Sequence, residues 1–220
     1  MDGFSNYLSV PVFVNRAYRR LESLTGNDYF LRRGKGTRKL VEEILPLAAF
    51  LKHLERPGCS VKCRFFSGSQ NYDAKIKLRG YYVDKGFLEP SYFVEVTSAV
   101  SEQKDHLIRE ALARHGAIGG YNVRRVGSRK GGDIEGEGAC DIDAPVKDAL
   151  RWTKAALEKK YEKKEPYPNP CFLVVQVKPD RPLSLYEWWT VANGVHDVID
   201  RGKFRATYIV DWETNNAFEV

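Results

Sequence analysis

Features typical of secreted and membrane proteins are scarce in this chain of 220 residues. Its four cysteines, Cys59, Cys63, Cys140 and Cys171, are too few for a disulfide framework, so we expect free thiols in a reducing compartment. No run approaches the roughly 18 apolar residues of a membrane helix. The first residues, MDGFSNYLSV, lack the basic and apolar regions of a signal peptide. These absences predict a cytoplasmic protein.

Patterns for metal ligands and nucleophiles are also scarce. Cys59 and Cys63 have the spacing of half a zinc site, but no histidine pair at ligand spacing accompanies them. The four histidines form no H-x-E or Ser/His/Asp arrangement, so no other enzyme class competes on these grounds. Helix-turn-helix, zinc-finger and RNA-recognition signatures are missing too, which argues against sequence-specific binding of nucleic acid.

The composition is that of a globular protein with a basic surface. Hydrophobic residues make up 43% of the chain and aromatic residues 12%, which is enough for a buried core. The formal net charge of +6 favours an anionic partner but does not indicate a fold.

Hydrophobic periodicity predicts alternating helices and strands. Pro46 should interrupt the first predicted helix, and Ser184 and Glu187 form a capping-box pattern at the start of the last one. The glycine-rich, charged segment 119–139 predicts a long mobile loop. The predicted order is helix 37–56, strands 61–66, 71–79 and 92–99, helix 101–116, helix 145–164, strand 171–178, helix 184–200 and a hairpin at 204–220.

This order predicts an α/β fold with a mixed central β-sheet flanked by helices. We expect one domain over 1–220, with its core at about 37–200. The apolar stripe of helix 101–116 should pack on the sheet, and helix 37–56 should cover the opposite face.

Two acidic residues stand at positions where the strand alternation places them on one face. Residues two apart on a strand share a face, so Asp73 lies with Lys75, and Glu95 lies with Phe93 and Thr97. If strands 71–79 and 92–99 pair as a hairpin, matching their apolar faces brings Asp73 and Glu95 together. A solvent-exposed polar face is the alternative interpretation.

A divalent cation suits such a pair of carboxylates. Two nearby carboxylates repel each other unless a cation stabilises their charged forms. Mg²⁺, or Mn²⁺ in its place, binds one or two protein carboxylates and completes its shell with water and substrate phosphate. The geometry therefore suggests metal-assisted cleavage of a phosphodiester.

The pattern YDAKI, followed by YFVEVTSA and then a helix, resembles the PD-(D/E)XK, or restriction-endonuclease-like, nuclease superfamily. The resemblance extends over roughly residues 37–200. It implies a core made of a helix, a β-hairpin with a third strand, a helix and a further strand. It also implies that Asp73 and Glu95 hold the metal, and that Glu43, or Glu42 beside it, matches an acidic residue of the first core helix.

The family's lysine is replaced by Thr97 in this chain. That lysine stabilises charge at the attacked phosphate. Two lysines could take its place: Lys75 on the Asp73 face of the neighbouring strand, and Lys104, which leans toward the sheet from the following helix. Gln103 is placed like Lys104. A second acid-x-lysine look-alike, Gln176 with Lys178, lies in a run that we interpret as a later core strand.

Basic residues favour contact with nucleic acid, DNA in the first place. Arg124, Arg125, Arg129 and Lys130 lie in the glycine-rich segment, where we expect them to bind phosphates. The lysines of helix 145–164 alternate with glutamates and are interpreted as a solvated face.

The sequence thus predicts a metal-dependent nuclease acting on DNA or RNA. One alternative is a catalytically inactive subunit that keeps the fold and binds nucleic acid or assembles with a protein partner or a second copy, which Thr97 favours. The other is a protein-interaction domain without nucleic acid.

Overall fold

The computed structural model describes residues 2–32, 34–100, 102–116, 122–128, 132–137, 141–179, 181–200 and 202–220. The strands are β1 (Leu8–Ser9), β2 (Ser60–Phe65), β3 (Ala74–Arg79), β4 (Ser91–Ala99), β5 (Asn122–Val126), β6 (Asp133–Glu137), β7 (Cys171–Val177), β8 (Ala206–Asp211) and β9 (Asn216–Glu219). The helices are α1 (Val10–Glu22), α2 (Gly26–Leu31), α3 (Lys35–Lys39), α4 (Leu45–Leu54), α5 (Tyr81–Asp84), α6 (Glu102–His115), α7 (Ala144–Tyr161) and α8 (Leu185–Asn193). Within the described ranges, no helix is both long and apolar enough to cross a membrane.

A mixed seven-stranded sheet has the order β1-β2-β3-β4-β7-β8-β9. Strands β1 to β4 are antiparallel neighbours. The connections from β2 to β3 and from β3 to β4 are short and allow direct reversal of the chain, whereas helices α1 to α4 lie between β1 and β2. Strand β7 runs parallel to β4, and β8 runs parallel to β7, after crossovers that contain helices. The C-terminal hairpin of β8 and β9 forms the edge of the sheet opposite β1. The prediction of a mixed sheet flanked by helices is confirmed.

Helices cover both faces of this sheet. On one face, Phe13 of α1 and Phe50 of α4 pack with Val94 and Val174. On the other face, the side chains of α7 and α8 form a second core with strands β7 and β8. Every residue of β7 is buried, which explains the continuous apolar run CFLVVQV.

A π-helical turn, Leu40–Ile44, joins α3 to α4 in one continuous helical segment. Pro46 follows it and has no backbone N–H to donate to Glu42, so the regular hydrogen-bond pattern cannot run through this point. The α-helical hydrogen-bond pattern is therefore interrupted just before Pro46, as predicted, although the chain remains helical through the π-helical turn. The turn places Glu42 and Glu43 next to the buried residues Leu40 and Ile44.

The prediction of a long mobile loop over 119–139 is wrong for the described residues, because β5 and β6 form an antiparallel hairpin there. The cross-strand pair of Arg124 and Glu135 joins opposite charges, and Val123 and Val126 are residues that favour strands. The glycines and charges that suggested a loop are compatible with this short ribbon. Residues 117–121, 129–131 and 138–140 lie outside the described part of the chain.

The expected packing of the helix after β4 is also wrong. Helix α6 packs chiefly against α2 and β5, with Ala111 as its buried residue. The helix that covers the Glu95 face of the large sheet is α7, which contacts β4 and β7.

Candidate active site

Asp73 and Glu95 lie near each other at the point where β3 begins. The pairing of Ala74 with Val94 is followed, one residue earlier on β3, by a hydrogen bond of 2.8 Å from the backbone N–H of Asp73 to the carbonyl of Val94. Glu95 follows Val94 on β4, and the charge of Asp73 acts on the carboxyl group of Glu95, so the two side chains lie near each other. The predicted antiparallel neighbourhood of the two strands is confirmed.

The carboxylate of Asp73 is bound to the backbone of β4. Its Oδ2 accepts a hydrogen bond of 2.8 Å from the N–H of Val96. Because β3 starts only at Ala74, this side chain supplies the acceptor that a longer β3 would have provided. Burial raises the pKa of Asp73, while the Val96 N–H, Lys160 and Lys39 oppose that rise.

Glu95 is buried, with only 7% of its surface exposed. The ammonium group of Lys160, from the last turn of α7, forms an ion pair with its Oε1. Burial and the charge of Asp73 raise the pKa of Glu95, and Lys160 and Lys163 counteract this. Glu95 is thus a buried carboxylate beside a second carboxylate, Asp73, and the cations Lys160 and Lys163 favour its charged form.

Glu43 adds a third carboxylate, from the π-helical turn. Burial, followed by the charge of Asp73, raises the pKa of Glu43 to about 7, although Lys39 lies 3.6 Å away and opposes the rise. Its Oε2 is buried and has no hydrogen-bond partner. The alternative, Glu42, forms ion pairs with Arg32 and Arg38. The structure therefore brings Glu43, not Glu42, to Asp73.

The lysine next to these carboxylates was missed by the sequence prediction. Lys75 has its ammonium 4.8 Å from the ring centroid of Phe93, and the side chain of Lys104 lies outside the described residues. Lys160 was assigned to a solvated helix face, yet it follows the buried residues Thr153 and Leu157 at helical spacing. The spacing to Leu157 is the signal that could have identified it.

Tyr167 is a second residue that the sequence prediction missed. Its hydroxyl is buried without a hydrogen-bond partner, and its pKa is raised by burial and then by the charge of Glu95. The ammonium groups of Lys163 and Lys203 lie 5.3 and 5.7 Å from the centroid of its ring. Glu95 thus lies near Tyr167, whose ring has two lysine ammonium groups close to it.

The described residues contain no group of three or more His, Cys, Asp or Glu side chains arranged to hold a metal ion by themselves. Asp73 and Glu95, with the Glu43 oxygen that lacks a hydrogen-bond partner, are of the chemical type that Mg²⁺ binds, since this ion needs only one or two protein carboxylates when substrate phosphate and water complete its shell. Cys59, Cys63 and Cys171 are buried free thiols, and burial raises the pKa of Cys63.

Two of the four predicted phosphate-binding cations, Arg124 and Arg125, lie on β5 of the β5–β6 hairpin. Arg125 forms an ion pair with Glu110 of α6 and donates a hydrogen bond of 3.3 Å to the carbonyl of Gly132. Arg124 stands opposite Glu135. Arg129 and Lys130 lie outside the described part of the chain.

The second acid-x-lysine look-alike belongs to the central strand β7, as predicted. Gln176 is buried and accepts a hydrogen bond of 3.1 Å from the hydroxyl of Ser98. Lys178 forms an ion pair of 3.0 Å with Glu213. Gln176 is thus part of the buried sheet, and Lys178 is used in an ion pair.

Comparison with known proteins found no relative of this chain. No protein-family model, no curated protein and no solved structure matches the chain. The function must therefore be argued from the residues at the site.

Proposed function

We propose that this protein is a metal-dependent nuclease that hydrolyses phosphodiester bonds of DNA or RNA. The observation that carries the proposal is the proximity of Asp73, directly before β3, to Glu95 on β4, with Lys160 in contact with Glu95. Acidic groups with raised pKa values next to specific cations are typical of functional sites.

The topology supports a restriction-endonuclease-like core. The helical segment 35–54 is followed by the antiparallel strands β2, β3 and β4, then by helices, and then by β7 parallel to β4. Apart from α5 and the β5–β6 hairpin, which are inserted between these elements, this order agrees with the one that the resemblance implies. Glu95 stands on the third strand of that order and Asp73 directly precedes the second, where the resemblance implies a metal-binding pair.

The protein's own groups have distinct roles in this proposal. A bound Mg²⁺ would polarise the phosphoryl oxygen and supply hydroxide. Asp73 and Glu95 would hold the cation, and Lys160 would stabilise the charge that develops at the phosphate. Glu43, with a pKa of about 7, can accept and release a proton near neutral pH.

A catalytically inactive subunit is the second candidate, and one observation favours it. Lys160 already provides Glu95 with a cation, so the fold can accommodate this carboxylate without a metal. Together with Thr97 in the position of the family's lysine, this is consistent with a site that binds nucleic acid but does not cut it.

A cleavage assay with two matched variants separates these candidates. We expect the wild-type protein to cut single-stranded DNA, duplex DNA or RNA with Mg²⁺ or Mn²⁺, and Glu95→Gln to reduce cleavage by at least about a hundredfold. Glu89→Gln, which changes an exposed glutamate before β4, is the control and should cut like wild type. If wild type cuts none of these substrates, the nuclease proposal fails and the inactive subunit takes its place.

A further inference from the structure

Within the described residues, no helix packs extensively on half of one face of the large sheet. Helix α7 packs over β4 and β7 on the Glu95 face. The helices that contact β2 and β3 are α1 and α5, and their packed side chains belong to the opposite core. The burial of β2 and β3 alternates accordingly, with one row of side chains buried and the other facing outward. The outward row consists of Ser60, Lys62, Arg64, Lys75, Lys77 and Arg79, of which Lys75 is half-buried and the others are exposed.

Five of these six side chains are cations, and the strand register sets like charges against each other. Lys62 is paired directly with Lys77, and Arg64 is paired directly with Lys75. Like charges at directly opposed positions destabilise a sheet. None of the five cations forms an ion pair with an acid in the described part of the chain. Contacts with aromatic rings offset part of this repulsion, and an anionic ligand would neutralise the charges themselves.

Aromatic rings alternate with these cations. Arg64 lies 4.7 Å from the centroid of Phe66, and Lys77 lies 4.3 Å from that of Tyr7. Tyr72 stands between Phe66 and Phe93, with centroid distances of 5.4 and 4.8 Å. All four rings are half-buried, so each keeps some surface toward solvent. Cations interleaved with accessible rings are typical of surfaces that bind single-stranded nucleic acid.

We propose that this surface, defined by Lys62, Arg64, Lys75, Lys77 and Arg79 and here named the basic face, binds single-stranded nucleic acid. Its cations would contact phosphates, and the rings of Phe66 and Tyr72 would stack on unpaired bases.

The basic face leads into the candidate active site. Residues two apart on a strand share a face, so Arg79, Lys77, Lys75 and Asp73 follow one another along β3 at intervals of roughly 7 Å. Lys75 is paired with Phe93, two residues before Glu95 on β4. A strand held on Lys75 would therefore have a phosphate near the two carboxylates. Only this connection rests on the proposed nuclease function; the binding itself does not.

Charge and shape favour nucleic acid over a membrane as the occupant. An interfacial membrane site needs protruding apolar side chains beside its cations. The exposed large apolar side chains of the described residues, such as Phe87 and Trp189, are not on β2 or β3. The rings of the basic face are half-buried instead, which suits stacking on bases better than insertion into lipid.

The test compares two variants that remove the same charge. Lys62→Gln, Arg64→Gln and Lys77→Gln are combined in the test variant. The control variant combines Arg19→Gln, Arg20→Gln and Lys159→Gln, which are exposed cations of α1 and α7. Binding to a labelled oligodeoxythymidylate of about 12 nucleotides is measured by fluorescence anisotropy in EDTA at several salt concentrations.

We expect the test variant to bind at least about tenfold more weakly, with a salt slope less negative by about 2, since each lost phosphate contact contributes about 0.7 on a single strand. The control variant should keep the wild-type slope. Tyr72→Leu should lower the affinity about fivefold without changing the slope, because it removes a stacking surface but no charge. If the test and control variants bind alike, the proposal is overturned.

Two further measurements complete the test. Duplex DNA bound more tightly than the oligonucleotide would overturn the single-stranded assignment, and binding to phosphatidylserine vesicles but not to the oligonucleotide would assign the face to membranes. The test variant should melt no lower than wild type, because it relieves repulsion. If it does not fold, Lys62→Gln and Lys77→Gln are measured singly, and each should change the slope by about 0.7.

Failure of this proposal can be told apart from failure of the nuclease proposal. Protein that binds the oligonucleotide through the basic face in EDTA but never cleaves it would contradict the nuclease alone. Metal-dependent cleavage that is equal in the test and control variants, with equal salt slopes, would contradict the basic face alone.

Discussion

Lys160, near the end of α7, forms an ion pair with Glu95 in the middle of β4, although 65 residues separate them in sequence. The strand position at which the resembling nucleases carry their lysine is Thr97 here, two residues after Glu95 on the same face. A helix thus brings a cation to a carboxylate whose own strand lacks one. This relationship makes Lys160 the first residue to test.

Replacing Lys160 should affect turnover more than binding. We expect Lys160→Met to lower kcat by about a hundredfold with little change in KM, because a charge that acts on the transition state is lost. Lys160→Arg should retain part of the activity. Lys159→Met, which changes the exposed neighbour, is the control. The measurement is steady-state cleavage of a labelled oligonucleotide with Mg²⁺.

A second substitution can restore the charge from the strand. Thr97→Lys, combined with Lys160→Met, should recover at least about tenfold of the lost kcat if the site needs one ammonium group near Glu95. Equal kcat values for Lys160→Met and wild type would show that this lysine serves only to pair with Glu95.

The raised pKa of Glu43 predicts that the metal-free protein loses stability as the pH rises. The folded protein holds a proton on Glu43 up to about pH 7, whereas the unfolded chain releases it near the ordinary value of 4.5. Folding therefore takes up a proton between these values, and the free energy of unfolding should fall across that window by about 1–3 kcal/mol and then level off.

Urea denaturation in EDTA between pH 5 and pH 8, in buffers of equal ionic strength, measures this effect. Glu43→Gln should reduce the pH dependence and be more stable than wild type at pH 8, while the raised pKa values of Asp73 and Glu95 leave a remaining dependence of the same sign. Glu22→Gln, at an exposed position on α1, should behave like wild type. A Glu43→Gln protein with the wild-type pH profile would contradict the prediction.

The hydrogen bond from the Val96 N–H to Asp73 predicts different stabilities for two substitutions. Asp73→Ala leaves this N–H without its acceptor and should cost about 1–3 kcal/mol. Asp73→Asn keeps an oxygen in place and removes the repulsion with Glu95, so its free energy of unfolding should stay near that of wild type. Thermal and urea unfolding check this, and equal losses in both variants would show that the charge matters rather than the acceptor.

The cations of the β5–β6 hairpin remain a separate prediction from the sequence. Replacing Arg124, Arg125, Arg129 and Lys130 by alanine should flatten the salt dependence of nucleic-acid binding if these residues contact phosphates. Because Arg125 pairs with Glu110, Arg125→Gln alone serves as the control for structural loss. An unchanged salt slope in the quadruple variant would leave these side chains with a structural role only.

Local patterns were enough to predict much of the fold. The alternation in β3 and β4, the continuous apolar run of β7 and the capping box of Ser184 and Glu187 all depend on neighbours in sequence, and all are present. The proximity of Asp73 and Glu95 was predictable for the same reason, since matching the apolar faces of two adjacent strands sets their register.

What the sequence by itself determined about this protein is therefore its periodic elements and the pair of carboxylates on one strand pair. Only the tertiary structure decided which helix covers that pair, and so brought Lys160 to Glu95 and Glu43 to Asp73. It also decided that α7 covers β4 and β7, while the cations of β2 and β3 face outward. The physical reason is that periodicity specifies which side of an element is apolar, whereas the partner of that side depends on contacts between residues far apart in the chain.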